Sequence, residues 1–304
     1  MIKSPIKLLS AWSTFFTYPN LGDSRLRTLL YFSLFMFTGL FSTSRGIPPL
    51  IIILKAFGTT VSIIVFVYAL GDAMDADMDK FNPRKSQRPV PSGRMTRDEA
   101  LLLSALGGVL SIAISLTINL WAMTIILASM GLGFSYSVPP IRLKRRFLMK
   151  ETTLTTGLIL SMLFGSTAVG KIPGSIFLPG LFLTIVGLIL YPSFLDAEDI
   201  QADSMGGCKT LAMILNQRRR LELSTFGLLV IMVTTTLTYG YFGLNMICPI
   251  LTVFASLMFL RYLFPLLIAP EEECKGEILK RGISIFRTFV FLVPLGFILG
   301  SLQL

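Results

Sequence analysis

Long apolar runs recur along the whole chain and are separated by short polar segments. A helix needs about 20 mostly apolar residues to cross the roughly 30 Å hydrocarbon core of a bilayer. The third and fourth runs are separated only by Thr117, Asn119 and a few neighbours, but 38 residues are too many for one span, so we expect a tight turn there. The pattern predicts nine membrane helices, near residues 28 to 44, 56 to 78, 99 to 118, 119 to 136, 152 to 170, 174 to 200, 222 to 241, 244 to 264 and 284 to 302.

Composition supports this interpretation, because the 304 residues are 53% hydrophobic and only 14% charged. A soluble domain has about a quarter of its residues charged, so an ordinary soluble domain is excluded. The predicted fold is all-α, a single membrane domain over residues 1 to 304. Histidine is absent, which excludes imidazole-based metal sites and catalysis. Cys208, Cys248 and Cys274 lack metal-ligand spacing and are expected to be reduced, structural thiols.

The distribution of positive charge predicts the orientation in the membrane. Of the 27 Lys and Arg residues, 24 fall in the N-terminal arm or after predicted helices 2, 4, 6 and 8. Cytoplasmic segments retain Lys and Arg, so we expect a cell-membrane protein with a cytoplasmic N-terminus and an external C-terminus. This topology accounts for most of the basic excess, and a nucleic-acid partner is not expected. Residues 1 to 20 are predicted to form an amphipathic arm at the membrane surface.

Two acidic segments share one spacing. Residues 71 to 79 end the second predicted helix and residues 195 to 203 end the sixth, and each has three aspartates at i, i+3 and i+7. These positions lie on one helical face, whereas Asp77 and Glu198 fall off it. Stacked like charges repel one another unless a cation neutralises them, and oxygen ligands without His or Cys favour Mg²⁺, Mn²⁺ or Ca²⁺. The candidate metal ligands are Asp72, Asp75, Asp79, Asp196, Asp199 and Asp203.

The repeated spacing argues against simple solvated charges at the membrane interface and suggests that the two halves of the chain are related repeats. Basic segments follow both acidic segments and the fourth predicted helix. Carboxylates that hold Mg²⁺ beside Arg and Lys make a site for a diphosphate, with Arg88, Lys144 and Lys209 as candidate ligands. For single basic residues, a role as topology determinants remains an alternative, and it is favoured for residues 218 to 220.

These motifs resemble the UbiA superfamily of intramembrane prenyltransferases. The resemblance rests on nine helices, on the first acidic motif followed by Arg88-Pro89 and Pro91-Ser92-Gly93, and on Asp-x-x-Asp-x-x-x-Asp followed by Gly207 and Thr210-Leu211. It implies a membrane bundle with a cytoplasmic-side active-site cap, Mg²⁺ or Mn²⁺ held by both motifs, and transfer of an isoprenyl group from its diphosphate to a lipophilic acceptor among membrane lipids. Tyr136 and Lys144 resemble the Tyr and Lys that the family places near the diphosphate.

Within the superfamily, the segments around Asp79 and Asp196 are most similar to the archaeal digeranylgeranylglyceryl phosphate synthase branch. That similarity implies geranylgeranylglyceryl phosphate as the acceptor, with aromatic quinone-type or chlorophyll-type acceptors as the alternative. Gly71 departs from the family, which has Asn there, and we expect it to mark a close helix neighbour or a bulkier acceptor.

Two functions outside this family are alternatives to prenyl transfer. A cation transporter would hold its site near the bilayer midplane, whereas these motifs stand at helix ends. A CDP-alcohol phosphotransferase would need Gly after Asp75, where this chain has Ala76.

Overall fold

The computed structural model describes residues 25–81, 85–197, 200, 204, 209–268 and 277–303. Within these residues it confirms nine helices long and apolar enough to cross a membrane. They are α1 (Arg25–Ser44), α2 (Leu50–Asp79), α3 (Arg97–Leu116), α4 (Leu120–Ser137), α5 (Met149–Val169), α6 (Gly174–Asp196), α7 (Gln217–Thr238), α8 (Ile247–Ile268) and α9 (Glu277–Ser301). The predicted N-terminal arm lies outside the described residues.

Side-chain caps fix the starts of two helices. Thr96 accepts a hydrogen bond from the backbone N–H of Glu99, and the Glu99 carboxylate accepts one from the backbone N–H of Thr96, so α3 begins with a capping box. The Asn119 side chain accepts a hydrogen bond from the backbone N–H of Ala122 at 2.8 Å and caps the start of α4. Only residues 117 to 119 separate the end of α3 from the start of α4. The predicted tight turn between the third and fourth helices is confirmed.

The sixth helix is irregular where it approaches the second acidic motif. Its regular part, Phe177–Ile185, gives way to two π-helical segments, Val186–Leu190 and Pro192–Asp196. Pro192 has no N–H to donate, and Ser193 donates its hydroxyl hydrogen to the carbonyl oxygen of Ile189 at 2.6 Å. Wider π turns are often found at functional sites. The irregular part ends at Asp196, and the i, i+3, i+7 geometry predicted for the motif stays a prediction because Asp199 and Asp203 lie outside the described residues.

Contacts within the chain define two compact units. Unit 1 comprises residues 1–33 and 50–143, and unit 2 comprises residues 34–49 and 144–304. In unit 1, α2 packs along α3, and Val65, Ala69 and Leu103 lie in its buried core. In unit 2, a cluster of aromatic rings includes Phe194 and Phe259 with ring centroids 5.1 Å apart. A single membrane domain of two related repeats stays a prediction.

The helix surfaces are those expected in lipid. Large apolar side chains such as Trp121, Leu237 and Phe254 are exposed on the helices or at their ends. Many buried hydroxyl groups within the helices bond to the carbonyl oxygen one turn back, as Thr60 does to Ala56 at 2.9 Å. Such bonds satisfy polar groups where water is absent. Cys248 is a buried free thiol, and Cys208 and Cys274 lie outside the described residues.

Two glycines let the backbones of α1 and α5 touch within unit 2. A Cβ atom built at Gly39 would overlap the carbonyl of Met162, and one built at Gly165 would overlap the carbonyl of Met36. The contact is reciprocal, so each helix presents its glycine to the backbone of the other. Small residues permit such close crossings between membrane helices.

We therefore predict that Gly165→Ala lowers the thermal stability of the purified protein, because its methyl group must push α1 and α5 apart. Gly131→Ala is the control: Gly131 lies inside α4 and a Cβ there meets nothing within 4 Å. That variant should be neutral or more stable, since Ala is favoured over Gly in helices by about 1 kcal/mol. Equal melting temperatures for the two variants would contradict the packing account.

Candidate functional site

The first acidic motif occupies the last turns of α2, in unit 1. Asp72 and Asp79 are buried, with relative exposures of 2% and 7%, and Asp75 is partly buried. Asp77 is different, since 75% of its side chain is exposed and it pairs with Arg97 at 2.7 Å. The helix thus turns the three predicted aspartates inward and Asp77 outward, in agreement with the predicted stripe.

Each aspartate of the stripe pairs with an arginine from a different part of unit 1. Arg25, in the first turn of α1, donates to Asp72. The Nη1 atom of Arg88 lies 3.0 Å from Oδ2 of Asp79 and 3.9 Å from Oδ1 of Asp72. Arg142 Nη2 lies 2.7 Å from Oδ1 of Asp75. Removing carboxylates from water is costly unless cations compensate, and these arginines supply three positive charges for three negative ones.

Arg88 is held in place by the chain around it. Its backbone N–H bonds to the carbonyl of Lys85 at 2.9 Å, and the N–H of Met95 bonds to the carbonyl of Pro89 at 2.9 Å. Val90 and Met95 are buried in one apolar cluster with residues of α2 and α3. The segment after α2 is therefore packed onto the end of that helix, which fixes the position of the Arg88 guanidinium.

The second acidic motif is described only in part, in unit 2. Asp196, at the end of α6, is 4% exposed and accepts a hydrogen bond from Nζ of Lys150 at 2.8 Å. Asp199 and Asp203 lie outside the described residues. Glu151 is 1% exposed, and its Oε1 accepts from the backbone N–H of Leu211 at 2.7 Å. The first turn of α5 therefore contacts the first aspartate of this motif and the chain that follows the motif.

The other predicted site residues are located as follows. Tyr136 lies in the last turn of α4, and Lys144 lies in a 3₁₀ turn, Leu143–Arg145; both are partly buried. Lys209 is exposed, next to Thr210. For all predicted site residues, their roles in binding remain predictions.

Sequence reasoning missed four residues that contact the motifs. Arg25, Arg142 and Lys150 belong to the basic segments that predict the membrane orientation, but none of them is among the predicted site residues, and neither is Glu151. A signal was present for Arg142, which stands two residues before Lys144 in the same basic segment. Arg25 offered none, because it is 47 residues from Asp72 and only the tertiary fold joins them.

The described carboxylates do not form a ready-made metal cage. No three acidic or Cys side chains converge in residues 25–81, 85–197, 209–268 or the other described positions. The spacing explains this, because i and i+7 stand two helical turns apart. Mg²⁺, however, is usually held by one or two carboxylates together with substrate phosphates and water. The donor set of Asp75 and Asp79 fits that mode.

Gly71 does not mark a close backbone contact. A Cβ atom there would lie 3.7 Å from Oγ of Ser137 on α4, which is an ordinary contact. The expectation of a close helix neighbour is therefore wrong, and space for a larger side chain exists next to the first motif.

The fold and this site define the protein as an integral membrane protein with a charged site at the end of an apolar helix. The UbiA prenyltransferase family model matches residues 32–276, and the chain belongs to this family. It is thus an enzyme of the prenyltransferase class, which favours that function over the cation transporter and the CDP-alcohol phosphotransferase.

The chain is similar to known proteins over most of its length and in its fold. The chain is 27% identical over 243 residues to digeranylgeranylglyceryl phosphate synthase of Saccharolobus solfataricus, covering 77% of this chain and 79% of that relative. A solved structure of a digeranylgeranylglyceryl phosphate synthase superposes with a TM-score of 0.74 at 20% identity, covering 98% of this chain and 100% of that one. A UbiA homologue from Archaeoglobus fulgidus bound to DMAPP and Mg²⁺ gives a TM-score of 0.64 at 18% identity, covering 88% and 96%. These structural likenesses establish the UbiA fold.

We predict that Gly71→Ala retains both stability and activity, because its methyl group makes only an ordinary contact and Ala favours the helix. Thermal unfolding and a prenyl-transfer assay on the purified variant would measure this. Gly107→Ala is the comparison, since a Cβ there would lie 2.8 Å from the backbone oxygen of Ser62. An inactive Gly71→Ala protein with normal stability would contradict this prediction and would show that substrate needs the space next to Gly71.

Proposed function

We propose that this protein transfers an isoprenyl group from a prenyl diphosphate to geranylgeranylglyceryl phosphate, a step of archaeal ether-lipid synthesis. One observation carries the proposal: three carboxylates at the end of α2 are each paired with an arginine. Such a site holds both the groups that bind a divalent cation and the groups that bind phosphate. The similarity to the synthase of Saccharolobus solfataricus supports the choice of acceptor.

The ion pairs explain how the site accepts its substrate. A Mg²⁺–diphosphate complex carries both signs of charge, so its metal can take the place of a guanidinium on a carboxylate while its phosphate oxygens bind the released guanidinium. The pairs most suited to this exchange are Asp75 with Arg142 and Asp79 with Arg88, since these arginine side chains are 15% and 24% exposed. Arginine binds phosphate through two parallel hydrogen bonds, which fixes its orientation.

The pair of Arg25 and Asp72 has a different role in this account. Both side chains are almost completely buried, with exposures of 6% and 3%. Opening this pair would leave two buried charges without partners, which is strongly unfavourable. We assign it to anchoring α1 on the end of α2, so that Asp72 contributes to the site by its position and charge.

Asp75 and Asp79, with Asp196, Asp199 and Asp203 of the second motif, would hold Mg²⁺. A bound divalent cation would stabilise the negative charge of the departing diphosphate. Arg88 and Arg142, with Lys144, Lys209 and Tyr136, would bind the remaining phosphate oxygens.

The reaction needs no covalent enzyme intermediate. The allylic C–O bond breaks and its electron pair leaves with the diphosphate, and the arginines stabilise that charge. The acceptor hydroxyl oxygen then bonds to the allylic carbon and gives up its proton to solvent or to the diphosphate. Apolar helices keep water from the cationic allylic carbon, and Phe and Tyr rings can stabilise it through their faces.

The orientation in the cell membrane is also part of the proposal. Basic segments at residues 80 to 98, 142 to 150 and 204 to 221 would lie on the cytoplasmic side with the N-terminus, where soluble prenyl diphosphates and divalent cations are present. The site residues in these segments would therefore form a cytoplasmic-side cap.

A prenyl-transfer assay tests the proposed function. Purified protein, radiolabelled geranylgeranyl diphosphate and Mg²⁺ are incubated with geranylgeranylglyceryl phosphate or with aromatic quinone-type and chlorophyll-type acceptors. We expect product with the glyceryl phosphate, none in EDTA, and a loss of several orders of magnitude in Asp75→Asn and Asp199→Asn. Product formed only with an aromatic acceptor would show that the proposed acceptor is wrong, whereas prenyl transfer as the reaction class would stand.

Asp77→Asn is the matched control for these variants, because Asp77 lies on the same helix, two residues from Asp75, but is exposed. It should retain most of the activity, since a solvent-exposed ion pair contributes little. Equal losses in Asp77→Asn and Asp75→Asn, or full activity in EDTA, would contradict the assignment of the first motif.

Membrane orientation is tested by labelling single cysteines with an impermeant reagent in intact cells, on a background without the three native thiols. Arg94→Cys should be protected until the membrane is permeabilised, whereas a cysteine at Gln303 should react at once. Labelling of position 94 from outside would reverse both the topology and the location of the site.

A further inference from the structure

Within unit 2, the first turn of α5 contacts both the first aspartate of the second acidic motif and the chain that follows the motif. Lys150 donates from Nζ to Oδ1 of Asp196 at 2.8 Å, at the end of α6. Its neighbour Glu151 accepts at Oε1 from the backbone N–H of Leu211 at 2.7 Å. Asp196 and Leu211 are 15 residues apart in sequence, yet both bond to adjacent residues of one helical turn.

The contact made by Glu151 is well buried. Glu151 is 1% exposed and Thr210, which precedes Leu211, is 0% exposed. One turn further along α5, Thr155 donates to the carbonyl of Glu151 at 2.8 Å, and a Cβ built at Gly187 of α6 would overlap its hydroxyl. Close packing of α5 on α6 therefore fixes the place from which the Glu151 side chain reaches Leu211.

Burying the Glu151 carboxylate is costly, and the bond that it makes to Leu211 is a single hydrogen bond to a backbone N–H. Leu211 begins a short helical turn, Leu211–Ile214, whose preceding residue Thr210 makes no side-chain cap. Glu151 supplies an acceptor to the first N–H of that turn from a distant part of the chain. This hydrogen bond holds the start of the turn against α5, because a buried N–H left without an acceptor would be destabilising.

We propose that Glu151 is a positioning residue for the prenyl-transfer site. It holds Lys209, Thr210 and Leu211 on the same helical turn that holds Asp196, and thereby fixes the position of Lys209, to which the proposed function assigns diphosphate binding. The residues between these two attachment points include Asp199 and Asp203. This inference rests on the proposed function for its effect on catalysis, but not for the contact itself.

The positioning role differs from catalytic roles that a buried glutamate can have. A proton acceptor or a metal ligand needs the negative charge, whereas positioning needs an acceptor atom at the right reach. Only Oε1 bonds to Leu211, and Oε2 has no hydrogen-bond partner within the part of the chain that the structure describes. Glu151→Gln keeps reach and acceptor without charge, and Glu151→Asp keeps charge with a shorter reach.

Hydrogen exchange at residues 209 to 214 measures the contact in the full-length, unliganded protein. We expect faster exchange in Glu151→Ala and Glu151→Asp, by about tenfold for loss of one hydrogen bond, and near wild-type protection in Glu151→Gln. Glu222→Gln is the control, since Glu222 is an exposed residue of α7 that pairs with Arg218 on the same helix. Unchanged protection in both the Ala and Asp variants would overturn the proposal.

Kinetics with prenyl diphosphate and Mg²⁺ then measure the consequence. We expect KM for the diphosphate to rise about tenfold in Glu151→Asp, in parallel with the faster hydrogen exchange at residues 209 to 214. In Glu151→Gln we expect both KM and the hydrogen-exchange rate to equal those of the wild-type protein. Activity retained by Asp and lost by Gln would show that charge matters and would overturn positioning. If wild-type protein transfers no prenyl group to any acceptor, the proposed function fails, while the exchange data still decide whether Glu151 holds this segment.

Discussion

Neutralisation of buried carboxylates is the constraint on which the rest of this structure depends. A carboxylate buried at the end of an apolar helix is strongly destabilising unless a cation or hydrogen bonds compensate its negative charge. The buried carboxylates Asp72, Asp79 and Asp196 pair with Arg25, Arg88 and Lys150. These pairs set where the first turn of α1, the segment after α2 and the first turn of α5 attach to the motif-bearing helix of the same unit.

The same pairs give the site its proposed chemistry. A carboxylate paired with arginine is already close to charge balance. A metal cation can then replace the guanidinium at the carboxylate while a phosphate replaces the carboxylate at the guanidinium, so neither charged side chain is left without a partner in an apolar interior. Burial sorts the pairs into two kinds. Arg25 with Asp72 is almost inaccessible and attaches the first turn of α1 to α2, whereas Arg88 and Arg142 retain contact with solvent, and their carboxylate partners are the ones suited to exchange.

The helices and the acidic stripe of α2 could be predicted because both depend on local periodicity. Span length gave the nine helices, and the 3.6-residue repeat separated exposed Asp77 from its buried neighbours. Arg25 and Glu151 could not be found in this way, since their partners lie 47 and 60 residues away. The π turns before Asp196 and the ordinary contact at Gly71 also depend on tertiary packing, which no local pattern encodes.

Calorimetric binding of geranylgeranyl thiodiphosphate, which resists cleavage, tests the central claim of paired-charge exchange most directly. The account predicts binding that requires Mg²⁺ and is weakened by both Asp75→Asn and Arg142→Gln, because one residue binds the metal and the other the phosphate. The paired-charge account also predicts that Asp77→Asn binds the thiodiphosphate as the wild-type protein does, because the Asp77 carboxylate forms ion pairs only at the surface. Binding of equal affinity in EDTA, or binding unaffected by either Asp75→Asn or Arg142→Gln, would contradict it.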